Sequence, residues 1–402
     1  AAAVRALHAL QGDMNALATM AEAAPVGERH ATVHADPGLY CAHPHMVRAG
    51  DGTLLLVFNA APRREVVLHP PLDPAFRNLL VRSTDDGRTW SEPEPVPDAD
   101  TTGLECAGLT ALSDGSVLLN QWQFGWAPPE AFDPADPTFY RPEELAAGWA
   151  ASREFSGLHD APAPTDLFPL ARCGGRTLIS RAASGSAPFR HAAEVDVAPF
   201  CGGYGMRGGV ELADGSVLLP LSDVPRYRTV FAVRLDRAGH QLGEPLLVAE
   251  HPGSEFEEPA PLRLADDTIL LILRDNGTRM LSAVRSLDEG LTWSDPRRLP
   301  IADYPASLVR LPDGPIAMVA GRRRPPFGIA LYLGSPSGRR WRGPYPIRDD
   351  LPDIDLGYPA AVLTTGGDLL VVYYGREPGG LTTIQQSVVA AETLERLARE
   401  HG

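Results

Sequence analysis

An eight-residue phrase occurs twice in this chain, as STDDGRTW at 83–90 and as SLDEGLTW at 286–293. Ser, Asp, Gly, Thr and Trp hold the same positions in both copies, and a decayed third copy keeps Gly338 and Trp341. The glycine suits a tight turn, the Asp and Ser/Thr oxygens can bond to the turn backbone, and the tryptophan offers a large apolar face for packing. The phrase therefore predicts a structural turn between two outer strands rather than a reaction centre.

A second pattern, two short apolar runs around an Asp-Gly-like turn, occurs six times. Its copies lie at 43–58, 107–122, 207–222, 258–273, 305–320 and 358–373. Gly and Asp tolerate the positive φ angles of a tight hairpin, so each copy predicts a pair of antiparallel strands. Repeats that add a second strand pair, giving about four strands each, are typical of propeller blades. We expect an all-β, six-bladed β-propeller.

The remaining segments complete the predicted organisation. The predicted units are an N-terminal helix (1–27), the propeller (28–390) and a C-terminal helix (391–402). Residues 28–35 are expected to supply the strand that the last blade lacks. Residues 125–164 form a Pro- and Ala-rich insertion with one helix beginning near Pro142, because proline suits a first helical turn.

Composition excludes several classes of function. The 402 residues carry a net charge of −15 without a basic block, which argues against a nucleic-acid surface. All 36 basic residues are arginine, so Schiff-base, pyridoxal and P-loop chemistry lack their lysine. Arginine instead suits bidentate binding of carboxylates. We expect neither a cofactor nor a metal.

Cysteine spacing and hydropathy leave the cellular compartment open. The cysteines at 41, 106, 173 and 201 form no CxxC motif, and a Cys41–Cys106 disulfide stays possible. No apolar run approaches the ~20 residues of a membrane span, so no membrane partner is expected. The chain shows no secretion signal, and a bacterial location in the cytoplasm, in the periplasm or outside the cell is compatible with it.

Propeller topology predicts the face on which a site would lie. The Asp-Gly turns and the Trp phrases share one face, so the first strands begin, and the second strands end, on the opposite face around the axis. The polar side chains expected there are Tyr40, His43, His45, Arg63, Arg64, Glu65, His69, Asp73, Glu105, Gln121, Trp122, Tyr204, Arg207, Asp223, Glu257, Glu258, Arg274, Asp275, Tyr304, Arg322, Arg323, Asp355, Tyr358, Tyr374 and Arg376.

With these motifs the chain resembles the sialidase (neuraminidase) superfamily with BNR/Asp-box repeats, over about residues 30–390. The two Trp phrases resemble its Asp boxes. The segments EEPAPLRLADDTILLILRDN and GYPAAVLTTGGDLLVVYYGRE resemble its Glu/Arg-bearing and Tyr-bearing segments. The resemblance implies Tyr358 as nucleophile and Glu258 as the base that assists it. It also implies Arg274, with Arg322 or Arg323, as two members of a carboxylate-binding triad.

The chain departs from the family pattern in its first blade. An Arg-Ile-Pro phrase is expected there, but the matching stretch is Ala42-His43-Pro44, so the first triad arginine is absent. No acid/base Asp is identifiable in the following loop, where Asp73 is the first candidate and Glu65 the second. The residues that could bind substrate in place of the missing arginine, or beside it, are His43, His45, Arg63, Arg207 and Trp122.

The leading hypothesis is an exo-acting glycoside hydrolase that cleaves a terminal acidic sugar, either sialic acid or another ulosonic or uronic acid. The alternatives are a uronate-specific polysaccharide lyase and a non-catalytic glycan-binding propeller. The expected partner is an acidic glycan. The insertion 125–164 is predicted to lie on the active face as a lid, with Trp126, Tyr140 and Trp149 available for sugar stacking. A metal site of His34, His43, His45 and His69 lacks supporting spacing.

Overall fold

The structure is a computed structural model that describes residues 24–68, 72–97, 103–156, 158–161 and 171–399. These residues form six antiparallel sheets. Contacts between the strands of neighbouring blades, including the contact of the first sheet with the sixth, close the sheets into a ring. The predicted all-β, six-bladed propeller is confirmed. Most of the helix predicted at 1–27 lies outside the described residues, and residues 24–27 are not helical.

Each of the first three blades contains its strands in chain order from the axis outward. Blade 1 consists of β2 (Leu39–Arg48), β3 (Leu54–Pro62), β4 (Arg77–Ser83) and β5 (Glu94–Pro95). Blade 2 consists of β6 (Leu104–Ala111), β7 (Val117–Ala127), β8 (Ala171–Ala182) and β9 (Arg190–Val195). Blade 3 consists of β10 (Gly203–Tyr204), β11 (Val210–Glu211), β12 (Val217–Asp223), β13 (Val230–Leu235) and β14 (Leu246–Ala249). In blade 3 the innermost strand is divided, and both pieces pair with β12.

The other three blades follow the same order, except that the outer strand of the last comes from the start of the chain. Blade 4 consists of β15 (Phe256–Arg263), β16 (Ile269–Asp275), β17 (Met280–Ser286) and β18 (Arg297–Arg298). Blade 5 consists of β19 (Ala306–Arg310), β20 (Ile316–Arg322), β21 (Gly328–Gly334) and β22 (Trp341–Arg348). Blade 6 consists of β23 (Leu356–Leu363), β24 (Leu369–Arg376), β25 (Thr382–Val389) and β1 (Glu28–His34).

Strand β1 closes the ring. It pairs antiparallel with β25, with Thr32 opposite Gln385. The sequence prediction that residues 28–35 supply the missing strand is therefore confirmed. This arrangement joins the two ends of the propeller in one sheet.

The second strands are apolar without alternation because each blade packs between two neighbours. LLLVFNAA in β3 and ILLIL in β16 are buried throughout. A sheet covered on both faces is expected to show a continuous apolar run in its middle strands. The hydrophobic core accordingly lies between the blades.

The first Asp box is a hydrogen-bonded turn. Ser83 Oγ donates to Asp85 Oδ1 at 2.8 Å and accepts from the Gly87 N–H at 2.9 Å. The Asp85 carboxylate accepts from the backbone N–H and the hydroxyl of Thr89, at 2.9 and 2.7 Å. These bonds lower the pKa of Asp85 to about 2.

The second Asp box repeats this geometry. Ser286 Oγ donates to Asp288 at 2.8 Å and accepts from the Gly290 N–H at 2.8 Å. In the first box, Trp90 Nε1 donates to Gln386 Oε1 of blade 6 at 2.9 Å, across the blade boundary. The boxes close turns and hold blades together, as the sequence predicted.

Among the described residues, two helices lie outside the blades. Helix α1 (Pro142–Ser156) belongs to the insertion, after a 3₁₀ turn at Pro129–Ala131, and helix α2 (Ala391–Arg399) follows the last strand of blade 6. The insertion helix begins at Pro142, as predicted. In the described part of the chain, neither helix has the length and apolar character needed to cross a bilayer.

Cys41, Cys173 and Cys201 are free cysteines. The disulfide between Cys41 and Cys106 that the sequence left possible is therefore not formed. Cys41 is buried in the core, and desolvation raises the pKa of its thiol to about 12.

Candidate active site

Four first strands contain a bulge at the same place: one lies between Leu104 and Ala107 of β6, and the other three carry site residues. The pairing register slips between Ala42 and His45, between Glu257 and Ala260, and between Gly357 and Ala360. Within these bulges His43, Glu258 and Tyr358 have φ angles of 53°, 52° and 48°. Bulges re-aim side chains, and a non-glycine residue with positive φ persists only where the surrounding fold imposes it. The three strands use this local distortion to bring three polar side chains together.

Tyr358 and Glu258 form a direct pair. The Tyr358 hydroxyl donates a hydrogen bond to Glu258 Oε1. Tyr358 is 6% exposed and Glu258 is 2% exposed, so the pair is largely shielded from solvent. The ring of His43 lies edge-on to that of Tyr358, with 4.4 Å between centroids. His43, the residue after the position of the missing triad arginine, thus contacts the predicted nucleophile through its ring.

Arg274 binds this pair from one side. Its Nη1 lies 3.1 Å from Glu258 Oε2 and donates to the Tyr358 hydroxyl at 3.4 Å. Its guanidinium also stacks over the ring of Tyr304, 4.7 Å from the centroid. The structure therefore brings together Tyr358, Glu258 and Arg274, three of the residues that the resemblance named.

Glu257 is a second carboxyl on the same guanidinium. Its Oε1 lies 3.2 Å from Arg274 Nε and accepts a hydrogen bond from Asn276 Nδ2. Burial raises the pKa of Glu257 to about 7, Arg274 opposes the rise, and the neighbouring charge of Glu258 adds to it. The strand bulge lets two consecutive residues face one arginine. The sequence placed Glu257 at the mouth but gave it no role.

The two consecutive arginines of blade 5 separate. Arg323 donates to the Leu356 carbonyl oxygen and to the Tyr374 hydroxyl, both at 3.1 Å, and its guanidinium lies 5.1 Å over the Tyr358 ring. Arg322 is 1% exposed and faces the other way, with its Nη1 3.8 Å from Asp303. Successive residues at a strand end point to opposite sides. Of the two arginines that the resemblance offered, the structure places Arg323, and not Arg322, beside Tyr358.

Asp73 and Glu65 lie in a separate cavity of about 560 Å³. Tyr40 and Arg63 also line this cavity, whereas Tyr358 and Glu258 do not. The buried Asp73 carboxylate accepts two hydrogen bonds from Arg64, at 2.6 and 3.2 Å, and a third from the Ala75 N–H. These bonds hold the Asp73 carboxylate on Arg64 in this cavity.

Arg63 and Glu65 are exposed. The Arg63 Nη2 donates to the Gly380 carbonyl oxygen at 3.1 Å. The structure does not bring Asp73, Glu65 or Arg63 together with the Tyr358 pair.

His45, Arg207 and Trp122 are buried in the blades. His45 Nδ1 accepts a hydrogen bond from the Leu109 N–H at 3.0 Å. Burial, reinforced by the charge of Arg207, lowers the pKa of His45 to about 3, so this ring stays neutral. Trp122 is 3% exposed within the main core cluster. In the structure, His45 and Trp122 are thus engaged in hydrogen bonding and packing within the blades.

The insertion lies on the active face and spans three blades. Leu145 and Trp149 of α1 pack against Val66, Leu68 and Leu72, which belong to the loop after β3. Glu144 at the start of α1 pairs with Arg226 in the loop after β12, at 2.9 Å. The insertion is thus placed where a lid would have to be. Trp149 is partly buried by this packing.

Arg172 was missed by the sequence analysis. Its buried guanidinium lies between the rings of Phe124 and Tyr140, 3.8 and 3.9 Å from their centroids. Tyr140, predicted to stack on sugar, instead stacks on this cation. Burial raises the pKa of Tyr227 in blade 3 well above its ordinary value, and the charge of the neighbouring Tyr140 raises it further. These contacts join the insertion to the propeller mouth, and their side chains come together only in the folded chain.

No metal centre is found in the described part of the chain, where no group of three or more His, Cys, Asp or Glu residues could hold an ion. His69, one of the four histidines considered, lies outside the described residues.

The fold and the site define a class: six-bladed propellers with a buried Tyr–Glu–Arg cluster at the axis. Residues 189–371 match the family described as the BNR repeat-like domain. The resemblance to BNR-repeat, sialidase-like proteins is confirmed by this match together with the fold. No curated protein matches the chain in sequence.

Solved structures share the fold. A protein of unknown function from Dyadobacter fermentans DSM 18053 has a TM-score of 0.73 at 21% identity, covering 91% of this chain and 99% of that one. The NanB sialidase of Streptococcus pneumoniae, as a point mutant, has a TM-score of 0.63 at 13% identity, covering 90% and 70%. An α-L-arabinanase of Penicillium chrysogenum complexed with arabinobiose has a TM-score of 0.60 at 14% identity, covering 92% and 99%. The chain therefore has the propeller fold of these glycosidases.

Proposed function

We propose that this protein is an exo-acting glycoside hydrolase that cleaves a terminal acidic sugar with Tyr358 as nucleophile. The observation that carries the proposal is the hydrogen bond from the Tyr358 hydroxyl to Glu258, with Arg274 bound to both. A phenol is a poor nucleophile at its ordinary pKa near 10, and a carboxylate that takes its proton removes this limit. A tyrosine nucleophile is one of the known exceptions to catalysis by two carboxylates.

The proposed reaction has two displacements. Tyr358 Oη attacks the anomeric carbon while Glu258 takes the phenolic proton, and the bond to the leaving oxygen breaks. Glu257, protonated, gives its proton to that oxygen. Water then attacks the anomeric carbon of the glycosyl-tyrosine, Glu257 takes a proton from the water, and Glu258 returns the proton to the phenolate. Two inversions give net retention.

Arg323 supports an acidic substrate. Arg323 donates hydrogen bonds to a carbonyl oxygen and to a hydroxyl. Within the described residues it forms no ion pair with a carboxylate. Arg274 in contrast is bound by two carboxyl groups. Arg323 is thus the cation best able to bind a substrate carboxylate, with Arg274 completing the contact. The third arginine is absent, with Ala42 at its position, so the proposal includes ulosonic and uronic acids besides sialic acid.

The test is a screen of aryl glycosides of sialic acid, other ulosonic acids, uronic acids and neutral sugars, run on the wild type and on Tyr358→Phe. We expect turnover of an acidic glycoside by the wild type and its loss in the variant. Cleavage of neutral sugars alone would contradict the carboxylate contact. Products with a new ultraviolet-absorbing double bond would indicate a lyase. Binding without turnover would indicate a glycan-binding protein, and full activity of Tyr358→Phe would overturn the nucleophile.

A further inference from the structure

A groove lined by arginine runs along the outside of the ring between blades 4 and 5. Two adjoining cavities form it, with volumes of about 670 and 500 Å³, and they share Arg297, Leu299 and Arg339. One cavity reaches Arg324, just beyond the end of β20 on the active face, and the other reaches Trp293 in the second Asp box. The arginines that line this arginine groove are Arg285, Arg297, the buried Arg322, Arg324, Arg339, Arg340 and Arg342.

Most of this positive charge is not neutralised locally. Arg324 has a partner, since its Nη2 lies 3.0 Å from Asp303. Arg297 donates only to the carbonyl oxygen of Arg339, at 3.1 Å. The three arginines at the wall, Arg339, Arg340 and Arg342, are exposed, and within the described residues they form no ion pair with a carboxylate. The net charge of the whole chain is −15, so this local cluster of arginines differs in sign from the chain as a whole.

The pKa of Arg285 is affected by repulsion from the neighbouring arginines. Arg285 is partly buried, and its Nη2 donates to the Gly338 carbonyl oxygen at 2.7 Å. Burial lowers the pKa of Arg285, and the charges of Arg339 and Arg297 lower it further. A bound anion in the groove would reverse this repulsion.

We propose that the arginine groove is a second carbohydrate-binding site that takes a carboxylate-bearing polysaccharide. Guanidinium groups match carboxylates in paired hydrogen bonds. Trp341 and Trp293 are partly exposed at the groove and offer apolar faces to sugar rings. The groove is short and the rest of the chain is acidic, which disfavours nucleic acid, whose phosphates need a long basic track. This site lies outside the catalytic mouth and does not depend on the proposed reaction.

The test measures binding of polygalacturonate, a carboxylated polysaccharide, by isothermal titration at low salt. The variant is Arg339→Gln/Arg340→Gln/Arg342→Gln. The matched control is Arg88→Gln/Arg190→Gln/Arg310→Gln, which removes the same charge from exposed arginines elsewhere on the propeller. We expect the groove variant to bind at least 10-fold more weakly and the control within about twofold of wild type. Binding should weaken with added salt, and neutral dextran should not bind.

Three results would overturn the proposal. These are no binding of polygalacturonate by the wild type, equal loss in both variants, or groove-dependent binding of single-stranded DNA without binding of the polysaccharide. Turnover of a small aryl glycoside is measured on the same proteins and should be unchanged in both variants. A wild type that binds through the groove but turns over no glycoside would refute the proposed reaction and leave the groove supported.

Discussion

The hydroxyl of Tyr358 donates a hydrogen bond to Glu258, a residue 100 positions earlier in the chain. The two belong to blades 6 and 4, and each lies in a first-strand bulge with positive φ. Each is followed by proline, as is His43 in blade 1. One local device, used in three blades, therefore builds the centre of the site.

If Tyr358 is the nucleophile and Glu258 its base, removing either function should stop the chemical step. Tyr358→Phe keeps the ring and its packing, and Glu258→Gln keeps the shape of the side chain. We expect kcat to fall by ~10²–10⁴-fold in each. The double variant should lose no more than the worse single one, because the two act as a unit. Steady-state kinetics would check this, and additive losses would contradict a shared step.

Glu257 should act as the proton donor to the leaving group. Its pKa is raised to about 7, so it is protonated below that pH and loses its proton as pH rises. We expect kcat/KM of the wild type to fall above about pH 7 and this limb to disappear in Glu257→Gln.

Leaving-group dependence supplies the control for Glu257. A nitrophenolate departs with little help, whereas a sugar alcohol needs a proton. Glu257→Gln should therefore slow the alkyl glycoside by ~10²–10⁴-fold and the nitrophenyl glycoside much less. Equal losses on both substrates would indicate that Glu257 only positions Arg274.

The blades could be predicted from the repeats, whereas the Tyr–Glu pair was implied by the resemblance to the sialidase superfamily. Tight turns mark the ends of strands, and topology then assigns the opposite ends to one mouth. Which of Arg322 and Arg323 faces the axis could not be predicted, since a shift of one residue at a strand end reverses the side. Glu257 was given no role because consecutive residues normally diverge, and only the bulge turns both carboxyls toward Arg274.

The contacts of the insertion and the arginine groove are tertiary. Arg172 contacts Tyr140 only in the folded chain, and no local sequence pattern predicts this contact. Likewise the groove gathers Arg297 and Arg339 from two blades, where each alone resembles an ordinary surface arginine.

Arg323 and Arg322 provide a matched pair of variants. Arg323→Gln removes the cation beside Tyr358 and should raise KM for the acidic glycoside by about 10-fold or more, since a charge-assisted contact is lost. Arg322→Gln instead removes a buried partner of Asp303 and should lower the free energy of unfolding. Kinetics and urea unfolding on both variants would separate the two roles. A larger rise in KM for Arg322→Gln would contradict the assignment of Arg323.

Ser83 and Ser286 should make equivalent contributions to stability. Each hydroxyl donates to the Asp of its box and accepts a backbone N–H. Both are buried, so replacement by alanine leaves polar groups unsatisfied, at a cost of about 1–3 kcal/mol each. Urea unfolding of Ser83→Ala and Ser286→Ala measures this, with catalytic activity of the folded protein unchanged. A loss of activity without a loss of stability would give the boxes a role in the reaction.

Gly321 and Gly357 allow blades 5 and 6 to approach each other beside Tyr358. A Cβ on Gly321 would lie 3.0 Å from the Cα of Gly357 and 3.1 Å from the carbonyl oxygen of Tyr304. Gly321→Ala must therefore move backbone next to Tyr358, and overpacking of this kind costs about 1–3 kcal/mol. We expect kcat to fall as the distance between Tyr358 and Glu258 changes.

Gly366→Ala is the control for this approach. It lies in the hairpin of blade 6 on the Asp-box face, where the nearest atom to an added Cβ is Thr364 Oγ1 at 3.8 Å. The control should keep both its kcat and its unfolding free energy, because its added methyl meets no backbone. If Gly321→Ala retained full kcat while losing stability, the spacing of blades 5 and 6 would matter for packing alone and the geometry of the pair would tolerate the shift.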